Sequence, residues 1–307
     1  MFERCGEERI RFRLQSLLDG EKLAAPLRGA APAGSLLLHP LRDEFESYLR
    51  SLTLILDQSM TGRCLLKTAV VQDVSVGLDP LLDPQSSFYY PQRNHLDLGY
   101  QPSSLQRTEK GISRYLSAFA AGLRRVWHYY RGAAPDLTLL PRDFLRYCRV
   151  EEADVEAVTH MIAWELRAAG PGFFWRHMLA DANGDIALAF ARTASTHPRH
   201  QFDGTALRAA FLQWFAVAER VDACDHMALE RMDMALLDKR SAGMIGRHRL
   251  DRDRLTLLGH LPVGQNYLSG MRFRSPVMRR PCDPFNHTHL KHIQQDISYL
   301  IENQKSF

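Results

Sequence analysis

The run Arg114 to Arg131, RYLSAFAAGLRRVWHYYR, constrains the fold most, because its apolar residues recur at a period that suits a helix. Leu116, Phe119, Ala120, Leu123, Trp127 and Tyr130 follow i, i+3, i+4, i+7 spacing, which gathers them on one face that must be buried. The other face carries Arg114, Ala118, Ala121, Arg125 and His128. Gly122 is out of place in such a helix, at a cost of about 1 kcal/mol relative to alanine, and its presence points to close packing against a neighbouring backbone.

The flanking segments predict a small sheet among helices. Phe45, Tyr48, Leu49, Leu52 and Ile55 give Leu41 to Gln58 an apolar helical face, with Thr61 and Gly62 as its stop. Leu65 to Val70 reads as a short helix and Asp73 to Gly77 as a strand. Phe88 to Tyr90 and Leu96 to Leu98 then form a hairpin around the turn residues Pro91 to Asn94. Arg142 to Ala169 predicts a long helix, ended by Gly170-Pro171-Gly172, and Phe285 to Asn303 a closing one. Met1 to Leu18 reads as a polar helix, and Thr205 to Val221 and Asp225 to Leu237 as two more helices.

This order resembles a family of bacterial metallopeptidase-like proteins of zincin-like type, over roughly Leu41 to Leu237. In that family the first site helix reads approximately H-E-L-R-H-A-W-Q, two histidines binding zinc and the glutamate activating water. The matching letters here are Leu123, Arg124 and Trp127, while Ala121, Gly122 and Arg125 stand at the two histidines and the glutamate. His128 takes the place of the final glutamine, and the resemblance makes Glu152 the third ligand. Alanine and glycine donate nothing, and an arginine keeps its proton and repels a metal. The expected fold is therefore α+β, mainly helical and zincin-like, a small hairpin sheet packed on long site helices whose motif is degenerate.

With the metal position gone, Arg125 either pairs with Glu152 or Asp154 in the former cleft or is a solvated surface arginine. Glu152 and Asp154 read equally well as carboxylates near a helix start, favoured by its dipole. Glu165 in Trp164-Glu-Leu-Arg167 lacks flanking histidines and reads as structural. His287, His289 and His292 are close enough on one helix to share a weakly held zinc or nickel, or are exposed polar residues. No GxSxG, GxxxxGK or GxGxxG motif is present, and Cys64 and Cys148 lack a recognisable catalytic partner.

The net charge of +4 conceals an uneven distribution. Lys239 to Arg280 holds ten Lys or Arg against Asp251 and Asp253, so it carries +8 and the remainder −4. Arg247, Arg249, Arg252, Arg254, Arg272, Arg274, Arg279 and Arg280 are its candidate polyanion contacts; a solvated, partly disordered tract is the alternative. Five scattered cysteines, a charged start without an apolar core and no run of ~20 apolar residues predict a cytoplasmic protein that does not span a membrane. The expected organisation is an N-terminal helix and linker over 1–40, a zincin-like domain over 41–237, and a basic segment with a closing helix over 238–307. The function expected is protein or peptide binding by a degenerate, non-catalytic metallopeptidase homologue without a cofactor. Two alternatives stand beside it. One is a metal-dependent hydrolase using zinc through His128 and Glu152 with a third donor; the other is an adaptor for nucleic acid or an anionic surface.

Overall fold

The computed structural model describes residues 11–19, 39–79, 81–100, 108–238, 244–271, 273 and 280–305. Mainly helical, with one four-stranded mixed sheet, the chain is an α+β protein. It divides into two compact units, Met1–Tyr129 with Met161–Asp181, and Tyr130–His160 with Ala182–Phe307.

The first unit opens with β1 (Arg11–Arg13) and α1 (Leu14–Asp19), where a single polar helix was expected; residues 1–10 and most of the expected linker lie outside the described residues. Next come α2 (His39–Leu56) and α3 (Met60–Val71). Thr61 and Gly62 do not break structure but belong to α3, because Ser59 caps it by accepting a hydrogen bond from Gly62 N at 2.9 Å. Left-handed backbone at Asp73 (φ 52°) follows, so β2 begins at Ser75 and runs to Asp79, two residues later than its alternation suggests. The hairpin forms as expected: β3 (Ser87–Tyr90) and β4 (His95–Gly99) flank a 3-10 turn over Pro91–Arg93, with Asn94 left-handed at φ 46°.

The strands lie in the order β1-β2-β4-β3. β2 pairs parallel with β4, and the two outer pairings are antiparallel. Alternation sends Val76, Leu78, Leu96 and Leu98 to one face, where they are buried. That face packs on α4 (Glu109–Tyr130), against which Leu96 and Ser87 close at Gly122.

α5 (Pro141–Ala169) begins in the second unit and ends in the first, which α6 (Gly172–Ala180) completes. Proline suits the first helical turn, where its missing N–H is not needed. The second unit adds α7 (Gly184–Thr196), α8 (Thr205–Trp214), α9 (Ala218–Leu237), α10 (Arg252–Leu258) and α11 (Pro284–Lys305) around a core that includes Phe190, Phe211 and Trp214. Within the basic tract, residues 244–271 are not the patternless tail expected: Ile245, Leu255, Leu258, Tyr267 and Leu268 are buried. Their spacing hid them, because only Leu255 and Leu258 share a helix, the seven-residue α10, and short turns bring the others inward. No helix among the described residues is long and apolar enough to cross a membrane.

Candidate functional site

α4 is buried on more sides than its periodicity suggests. Leu116, Phe119 and Leu123 are inside as expected, but so are Ala118, His128 and, with no exposed surface, Arg124. Arg114, Ala121 and Arg125 form a half-buried stripe. Gly122 faces the sheet: a Cβ there would lie 2.6 Å from Leu96 Cδ1 and 3.0 Å from Ser87 Oγ. Its neighbours are the side chains of the hairpin, and they leave no room for a glutamate.

Zinc does not fit the positions that the resemblance assigns to it. Ala121 and Gly122 offer no donor atom, and Arg125 retains its proton at any ordinary pH. Among the described residues, no group of three or more His, Cys, Asp or Glu is arranged to hold a metal ion. Arg125 and His128 belong to the first unit, and Glu152 and Asp154 to the second. Both carboxylates sit well inside α5, not at its start, because the helix begins at Pro141. The dipole of a helix N-terminus therefore does not account for them. Glu152 is half-buried; Asp154 is fully buried and accepts a hydrogen bond from the Tyr267 hydroxyl at 2.7 Å.

Glu165 is structural, as its sequence context indicates. Its carboxylate accepts from the Ser59 hydroxyl at 2.5 Å, Thr61 N at 2.8 Å and the Thr61 hydroxyl at 2.7 Å, and so holds the start of α3. Burial pushes the Cys148 and Cys224 thiols up, and raises Cys282 to about 11, which leaves them protonated and poor nucleophiles at neutral pH.

The C-terminal histidines lie on α11. His289 pairs with Asp233 of α9, whereas His292 is exposed and His287 half-buried. Of the basic candidates, Arg254 binds Asp136 at 3.1 Å, and Arg280 is half-buried with its carbonyl accepting from Arg149 at 2.7 Å. Arg247 and Arg249 are exposed. Arg272, Arg274, Arg279 and the side chain of Arg252 lie outside the described residues.

The second face of the sheet carries polar residues that the sequence pattern did not mark as a site. Ser75 of β2 and His95 of β4 stand opposite each other in register, with Asp97 two residues on. The Ser75 hydroxyl lies 2.7 Å from His95 Nδ1, and His95 Nε2 lies 2.8 Å from Asp97 Oδ1. His95 and Asp97 are fully buried. His95 therefore points to the face opposite Leu96 and α4. The only local signal for it was alternation in His95-Leu-Asp-Leu98, which identifies a strand and not its partner.

The model of the Putative metallopeptidase family (DUF6782) matches residues 35–269. No curated protein and no solved structure matches.

Proposed function

The chain belongs to the Putative metallopeptidase family, and we propose that within it this member has lost zinc-dependent hydrolysis and acts by holding a peptide or protein segment. The packing of Gly122 carries this reading. A general base at that position would need a cleft in front of it, whereas Gly122 meets Leu96 and Ser87. The segment to be held would add along β3, which among the described residues lies at an edge of the sheet and exposes 47% of Phe88. An edge strand offers unpaired backbone groups to an extended peptide, and alternate side chains give it selectivity.

Metal analysis of the purified full chain tests the first half. The expected result is far less than one zinc per chain after desalting; one tightly held zinc per chain, lost in Glu152→Ala, overturns it. For the second half, extended peptides are expected to bind equally well with and without a chelator, and more weakly to Phe88→Asp. A second reading, an adaptor for polyanions, draws on the exposure of Arg247 and Arg249. It requires salt-sensitive binding that Arg247→Ser with Arg249→Ser weakens.

A further inference from the structure

We propose that Ser75, His95 and Asp97 form an acyl-transfer site on the second face of the sheet, distinct from α4 and independent of its reading. The chain of contacts runs in one line: Ser75 hydroxyl to His95 Nδ1 at 2.7 Å, and His95 Nε2 to Asp97 Oδ1 at 2.8 Å. Both distances lie within the range at which a nucleophile, its base and an orienting group work together.

Proton positions follow from the chemistry of the partners. The site uses the tautomer in which His95 Nε2 donates to Asp97 Oδ1. In the neutral imidazole Nδ1 is then an acceptor, and the Ser75 O–H points at it. Asn94 O, at 3.3 Å, is the more distant competitor for that hydrogen. The two ring nitrogens are used in the opposite sense to the serine-protease triad, but the proton relay is equivalent. Ser75 is half-buried while His95 and Asp97 are fully enclosed, so the nucleophile is the member nearest solvent.

Strand register supplies the surroundings. Across the sheet, Arg13, Ser75, His95 and Tyr90 form one row, and Phe88 lies opposite Asp97 in the next. Exposed Arg13 is the cation beside the nucleophile, suited to a developing oxyanion. On the other side the Phe88 and Tyr90 rings lie 4.5 Å apart and offer an apolar wall. The substrate class is therefore an ester with an apolar or aromatic acyl group. Ser75 Oγ bonds to the acyl carbon as its proton passes to His95 Nδ1. The C–O bond to the leaving alkoxide breaks, and that oxygen takes the proton from His95. Water, deprotonated by the same nitrogen, then releases the acid and restores Ser75. Asp97 is a positioning residue that holds the imidazole.

A fluorophosphonate probe and p-nitrophenyl butyrate, used on the full chain, test this. The expected result is a probe adduct that mass spectrometry places on Ser75, absent from Ser75→Ala, and ester turnover at least about 10-fold above that variant. Asp97→Asn is expected to lower kcat by a similar factor and leave KM within about twofold, a split that a purely structural role would not produce. If folded wild-type protein takes no label at Ser75, or turns over the ester no faster than Ser75→Ala, the site is refuted. Ser75→Ala keeps the test decisive even if Asp97→Asn does not fold. A chelator is expected to leave both readouts unchanged, which separates this outcome from any zinc chemistry.

Discussion

Gly122 links a sequence anomaly to a packing fact. An alanine there would push its Cβ to 2.6 Å from Leu96 Cδ1, inside a fully buried contact. Overpacking costs about 1–3 kcal/mol, and helix propensity returns about 1, so Gly122→Ala is expected to be mildly destabilising. Gly122→Glu, which places there the residue type that the resemblance implies, is expected to lower Tm much further and to give no hydrolysis; thermal unfolding followed by circular dichroism checks the stability of both variants, and a peptidase assay the second point. His160 makes a separate prediction. Burial lowers its pKa from 6.5 to about 4, with hydrogen bonding to the Glu156 carbonyl opposing the shift. The unfolded chain then binds a proton that the folded chain refuses, so stability is intact above pH 6.5 and is lost as pH falls towards about 4. The loss is on the order of a few kcal/mol. His160→Gln is expected to flatten the pH dependence of the urea midpoint over that interval.

At the scale of elements, α3 shows how a short helix is anchored from outside itself. Ser59 supplies the cap, and Glu165 of α5 accepts three hydrogen bonds at the same helix start. Ser59→Ala is expected to cost about 1 kcal/mol, as for other N-caps. Glu165→Ala is expected to cost more, about 2–3 kcal/mol, because hydrogen bonds to an ionised group are the stronger kind. A double-mutant cycle in urea checks that the two residues couple. The helices with a strong period, α4, α5 and α11, were legible in the sequence, as was the hairpin with its Asn94 turn. The starts of α1 and α3 were not. β1 is three residues long, too short for alternation to register, and the role of Ser59 depends on where the chain turns.

Across the whole chain, a few buried polar links join residues far apart in sequence. Arg149 and Asp225 form a buried ion pair, closed by Nε to Oδ1 at 2.6 Å and by a second bond from Nη2 to Oδ2. Removing one partner leaves an uncompensated charge, so Asp225→Ala is expected to cost about 3–5 kcal/mol. Arg149→Met combined with Asp225→Leu is expected to recover most of that loss in denaturant unfolding. What the sequence determined by itself was local: helical faces, turn residues and the uneven charge. Period and backbone chemistry act over a few residues, and those features lie within that reach. Tertiary structure alone decided that Gly122 meets Leu96, that Glu165 holds α3, and that Ser75 meets His95 through a parallel pairing of β2 with β4. Hydrogen bonds and close packing require atoms within about 3–4 Å, and only the folded chain brings distant segments that close.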